Sequence, residues 1–174
     1  LLFLGVDYWG VPATFASALF FLFIFGEVKL INAVKKTESE NASEDRLHKV
    51  LILDDYFLVR HNHKLLLQKL GFGVIEGNNG EEGLQILETK GADNFDLIIV
   101  DLMMPVMDGA EFIKAAREKY GDILPPIFVC SSTSELPVVR EIVALGVADY
   151  IIKPVDFNVF IGKLKQMFPD VVKR

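Results

Sequence analysis

Cysteine is almost absent: Cys130 is the only one in 174 residues, so no internal disulfide can form. With only three histidines, at positions 48, 61 and 63, no zinc-type ligand spacing exists either. A basic excess is also missing, because 18 Lys+Arg stand against 24 Asp+Glu and leave a net charge of −6. No run of Lys or Arg is long enough to form a stripe along a nucleic-acid backbone, so direct nucleic-acid binding is not expected. Charge of either sign is scarcest at the start. Residues 11–25 carry none, and Asp7 is the one formal charge before them.

A transmembrane helix needs about 20 mostly apolar residues. Residues 11–31 meet that length if Glu27 and Lys29 lie among the headgroups. Tyr8 and Trp9 stand at one end, where amphipathic rings favour the interface, and Lys29, Lys35 and Lys36 flank the other. These positive residues place the C-terminal part of the chain in the cytoplasm. A secretory signal would begin with a basic stretch and close on a small-residue cleavage site, and neither is present. A soluble core helix or an interfacial helix would show a polar face, whereas residues 15–25 are apolar almost all round. Residues 1–6 (LLFLGV) read as the tail of an earlier apolar segment, as expected of a piece of a longer, multi-pass membrane protein. Residues 1–36 are thus read as a membrane segment with a juxtamembrane helix. Residues 37–48 lack the apolar side chains to pack a core and read as a polar linker.

Residues 49–174 show a different pattern. Short apolar, β-rich runs at 50–53, 74–75, 97–100, 127–130 and 150–152 predict five buried strands. Amphipathic stretches at 57–70, 81–90, 110–120, 138–145 and 157–168 predict the helices between them. Four of these stop at a glycine, namely Gly71, Gly91, Gly121 and Gly146, and the last stops near Pro169. Alternation of this kind implies an α/β fold with a parallel sheet covered on both faces.

In open parallel sheets ligands bind beyond the carboxyl ends of the strands. Those ends carry Asp54 and Asp55 after the first run, Asp101 after the third, Ser131 after the fourth, and Lys153 with Pro154 after the fifth. Taken singly each has an ordinary reading. Asp55 or Asp108 would cap a helix, Ser131 would satisfy a strand-end backbone group, and Lys153 would be a solvated surface lysine. Together they place three carboxylates, a hydroxyl and an ammonium at one edge. Cys130, inside a buried run, reads as core.

The motifs LDD (53–55), DLMMPVMDG (101–109), CSS (130–132) and YIIKP (150–154) resemble, in order and spacing, the receiver domain of two-component response regulators. The resemblance implies a flavodoxin-like (βα)5 fold with strand order 2-1-3-4-5. It implies that Asp101 is the phosphoacceptor, and that Asp54, Asp55, Asp101 and the backbone carbonyl of Met103 hold Mg²⁺. Lys153 would stabilise the transferred phosphoryl group and Pro154 would be cis. Ser131 and Tyr150 would be the switch pair, acting on a face formed by residues 136–145, Tyr150 and residues 157–165. The implied phosphodonor is a phosphohistidine on a histidine kinase or phosphotransfer protein, or a small acyl phosphate. Such a domain is a switch, catalysing only its own phosphorylation and dephosphorylation. No output domain comes after it in these 174 residues, so output through protein contacts is expected. Three settings fit: a membrane-tethered receiver, the C-terminal receiver of a hybrid sensor kinase or transporter, or a docking subunit among other membrane-embedded subunits. The intact acidic pocket weighs against the third.

Overall fold

The computed structural model describes residues 47–172. The apolar segment and most of the linker lie outside the described residues. Among the described residues no helix is long and apolar enough to cross a membrane.

Five parallel strands, β1 (Lys49–Leu53), β2 (Gly73–Gly77), β3 (Leu97–Val100), β4 (Ile127–Ser131) and β5 (Asp149–Ile152), pair in the order β2-β1-β3-β4-β5. Five α-helices connect or follow them: α1 (Phe57–Lys69), α2 (Gly80–Lys90), α3 (Gly109–Tyr120), α4 (Leu136–Ala144) and α5 (Phe157–Met167). The side-chain period of two sorts the core. Leu51, Leu53, Ile98, Val100, Ile127 and Val129 face Leu87 of α2, Phe112, Ile113 and Ala116 of α3, and Ile142 of α4. Val50, Ile52, Leu97, Ile99, Phe128 and Cys130 face Leu67 of α1 and Phe160 and Leu164 of α5. Both faces of the central strands are therefore buried, which is why they read as unbroken apolar runs.

Helices stop at the glycines. Gly71, Gly91, Gly121 and Gly146 all adopt positive φ, a conformation costly for residues with a Cβ. Two elements begin or end two residues beyond their sequence patterns. β2 runs to Gly77 although it includes Glu76, because its register with β1 continues to Leu53↔Gly77. α4 begins at Leu136, two residues early, because Pro137 sits in its first turn, where a missing N–H costs nothing.

Register sets the functional edge. Leu53 lies beside Val100, so Asp54 and Asp101, the residues just past β1 and β3, emerge at one level, while β4 runs two residues beyond Val129 to Ser131. The Asp101 amide donates to the Leu53 carbonyl at 2.8 Å, and the Lys153 amide to the Ser131 carbonyl at 2.8 Å. The ladder thus continues one step into the site-bearing turns.

Candidate functional site

Asp54, Asp55 and Asp101 each place a carboxylate oxygen within 4.8 Å of the others. Asp54 and Asp101 are buried, 3% and 8% exposed, while Asp55 is open to solvent. At that spacing, with an effective dielectric of about 20, each pair of negative charges repels by roughly 3 kcal/mol, so the cluster requires positive charge. Lys153 supplies part of it. Its Nζ bridges Asp54 Oδ2 at 2.8 Å and Asp101 Oδ2 at 2.7 Å. Burial pulls the pKa of this ammonium down, but hydrogen bonds to Asp101 and Asp54 and the charges of both carboxylates overcome that pull and hold it above its ordinary value. Lys153 is therefore fully charged at neutral pH. No ion pair among the described residues reaches Asp55, which leaves one exposed carboxylate beside two buried ones. All-oxygen donors of this kind fit a hard divalent cation, and Mg²⁺ in particular, which keeps several waters and takes one or two carboxylates.

The remaining oxygens are held by the backbone. Asp54 Oδ1 accepts from the Tyr56 amide at 2.8 Å, and Asp101 Oδ1 accepts from the Met103 amide at 3.3 Å. Met103 thus lies next to the pocket, with its side chain exposed. The Lys153–Pro154 peptide bond is cis, as the motif implies. Ser131 is fully buried at the end of β4, and its hydroxyl accepts from the Thr133 amide at 3.2 Å. The ring of Tyr150 packs against the core while its hydroxyl donates to the Thr133 carbonyl at 2.7 Å. Both switch candidates therefore meet at the backbone of Thr133. Asp108 has a different task. It caps α3, accepting from the Glu111 amide at 2.8 Å, while its own amide donates to the Glu111 carboxylate at 3.0 Å. Cys130 is buried, and loss of hydration pushes its thiol pKa up to about 12, so it is inert core.

Two supporting residues escape a reading of strand ends. Gly109 packs so tightly that a Cβ there would lie 2.2 Å from the Asp101 carbonyl oxygen; in the sequence it shows as the last residue of the 101–109 motif, just after the Asp108 cap. Arg60, in α1, is buried and its Nη1 donates to the Asp54 carbonyl at 2.5 Å. Nothing in its spacing marks it as more than a helix-surface arginine.

The family model for the response regulator receiver domain matches residues 50–165, more than half of the chain. The sensor histidine kinase CheAY of Helicobacter pylori is 37% identical over 72% of this chain and 15% of its own length. The probable C4-dicarboxylate response regulator DctR of Halalkalibacterium halodurans is 31% identical over 67% of this chain and 49% of its own. Among solved structures, the Vibrio cholerae chemotaxis protein CheY4 shares 29% identity at a TM-score of 0.63, over 71% of this chain and all of that one. The chain spans about half or less of the curated relatives named here. A match of this extent, falling on strands that converge three carboxylates and a lysine, places the chain in the response regulator receiver domain family: it carries a phosphoacceptor receiver of a two-component system, a phosphorylation switch rather than a catalytic enzyme.

Proposed function

We propose that Asp101 is the phosphoacceptor of a membrane-tethered receiver that takes its phosphoryl group from a phosphohistidine and signals through protein contacts. The observation that carries this is the Lys153 ammonium bridging Asp101 and Asp54 at the mouth of an acidic pocket. An Asp101 carboxylate oxygen attacks phosphorus, the P–N bond to the donor imidazole breaks, and the departing nitrogen keeps the bonding pair. Asp54, Asp55 and Asp101, with the Met103 carbonyl, would hold Mg²⁺, which when bound neutralises charge on the phosphoryl oxygens. Lys153 leaves Asp54 to meet those same oxygens. Ser131 then turns its hydroxyl from the Thr133 amide toward the phosphoryl group.

Because Tyr150 shares the Thr133 backbone, that movement reaches the surface of α4, β5 and α5. Leu136, Val143, Ile152 and Val159 are exposed there and suit a protein partner. Tethering rests on the uncharged stretch 11–25 and the lysines beyond it, with the receiver on the cytoplasmic side. A second setting, the receiver of a hybrid histidine kinase, is favoured by the Helicobacter relative, a sensor histidine kinase matched over only 15% of its length.

The test is labelling of the full chain in detergent by an acyl phosphate, with and without Mg²⁺. Asp101→Asn abolishes labelling and Asp108→Asn retains it. Stable labelling of the Asp101 variant overturns the assignment.

A further inference from the structure

Arg60 is a buried charge that phosphoryl chemistry leaves without a task. It is 9% exposed and reaches in three directions. Nη1 donates to the Asp54 carbonyl at 2.5 Å, Nε lies 3.3 Å from Glu76 Oε1 on β2, and the guanidinium carbon stands 5.8 Å from the centre of the Phe57 ring. Glu76 is held in turn by Lys64. An ion pair with one buried partner and one half-buried one gives up desolvation for modest Coulomb attraction, so stability alone is a weak reason for it. The turn it touches carries one local side-chain restraint, the Tyr56 amide on Asp54 Oδ1. Tyr56, the N-cap of α1, makes no side-chain cap and the first turn of the helix has no acidic residue, although two of the three pocket carboxylates lie just before it.

Asp54 makes four polar contacts. Its amide donates to the Gly77 carbonyl at 3.3 Å, its carbonyl accepts from Arg60, Oδ1 accepts from the Tyr56 amide, and Oδ2 accepts from Lys153. The Lys153 contact is surrendered when the lysine turns to a phosphoryl group. The shortest restraint left on the residue is then the guanidinium.

We infer that Arg60 is a positioning residue for the cation site: anchored on Glu76, it clamps the Asp54 carbonyl and so holds the Asp54 and Asp55 carboxylates at the separation that a divalent cation requires. The inference rests on the phosphoacceptor reading of the pocket. A planar guanidinium suits the task, because it can donate to a carbonyl while its charge pairs with a carboxylate. Outer-shell partners of metal ligands commonly control affinity by about 10- to 100-fold.

The experiment is calorimetric titration of MgCl₂ into the unphosphorylated full chain in detergent, with thermal unfolding of each variant alongside. Arg60→Met is expected to weaken Mg²⁺ binding about tenfold or more. Glu76→Gln, which keeps Arg60 but loosens its anchor, weakens binding by a smaller factor. Leu67→Val trims the buried face of the same helix; it lowers the melting temperature and leaves the Mg²⁺ affinity unchanged. Parental affinity in both Arg60→Met and Glu76→Gln overturns the inference, as does a loss in Leu67→Val equal to that in Arg60→Met, which would mark a general packing effect. If Arg60→Met does not fold, Glu76→Gln decides alone, and parental affinity in it overturns the inference. A parent chain that binds no Mg²⁺ sinks the reading of the pocket itself, an outcome separate from these.

Discussion

Two strand-to-helix turns deliver the three carboxylates, and they are built in opposite ways. The turn from β3 to α3 is restrained by its own neighbours. Asp108 and Glu111 cap each other's backbone, the Gly109 amide donates to the Leu102 carbonyl at 3.0 Å, and the Met107 amide donates to the Pro105 carbonyl at 2.8 Å across Val106, whose φ is 70°. The turn from β1 to α1 has no side-chain helix cap; beyond the Tyr56 amide on Asp54 Oδ1 it is held from a distance, by Arg60 from within the helix, Gly77 from β2 and Lys153 from β5. The first turn holds Asp101 through contacts made within the turn itself. The second is tied to Lys153, which under the proposed function turns to the phosphoryl group, so on that reading its geometry is coupled to occupancy of the pocket.

If the β3–α3 turn is locally over-determined, its tightest point should tolerate least. Gly109→Ala drives a Cβ against the Asp101 carbonyl oxygen and is expected to destabilise by about 3 kcal/mol, with phosphoryl labelling lost. Urea unfolding measures this, and a variant as stable as the parent would show that the close approach can relax. Asp108→Ala removes the cap alone. It should cost about 1 kcal/mol while labelling persists, because Asp101 is still held by its ladder bond to Leu53.

The α1 side differs also in its buried titratable group. His63 is 3% exposed and packs against the rings of Phe157 and Phe160, and its Nδ1–H donates to the Val59 carbonyl at 3.0 Å. Burial lowers its pKa below the ordinary 6.5; the nearby charge of Asp54 and the Val59 bond raise it, less strongly, and the Lys153 charge adds to the lowering. With a depressed folded pKa, the His63 contribution to stability is complete above the unfolded value and is lost as pH falls through the folded one. Comparing unfolding curves between neutral and mildly acidic pH should show less slope in His63→Leu than in the parent; equal slopes would assign the pH dependence to other groups. The smallest effect belongs to Val106. A β-branched residue at positive φ is strained, and its side chain is 77% exposed, so Val106→Gly forfeits little burial. A gain of about 0.5 kcal/mol is expected after the added flexibility of glycine in the unfolded chain is offset. A loss of stability would mean that the strain is not stored at this residue.

The same contrast explains what could be read from the sequence. Strand ends were legible because β1, β3 and β4 are apolar on both faces and break sharply at Asp54, Asp101 and Ser131. The α3 cap was legible because capping chemistry lies within three residues. Tyr150 and Ser131 were placed by motif, but their meeting at the Thr133 backbone depends on a β4–β5 register that no local pattern encodes. Arg60 was invisible for the same reason: its partners are a carbonyl six residues back and a carboxylate on another strand. β2 was underread, since an edge strand bounded by glycines and carrying Glu76 lacks the apolar run that marks the central strands.

The most direct measurement is to label the full chain with an acyl phosphate in Mg²⁺, reduce the product with borohydride, and map the modified peptide. An aspartyl phosphate becomes homoserine on reduction, and homoserine at position 101 alone is the expected result. Homoserine at position 54 or 55, or no modification under conditions in which the chain binds Mg²⁺, would contradict the assignment of Asp101 as the phosphoacceptor.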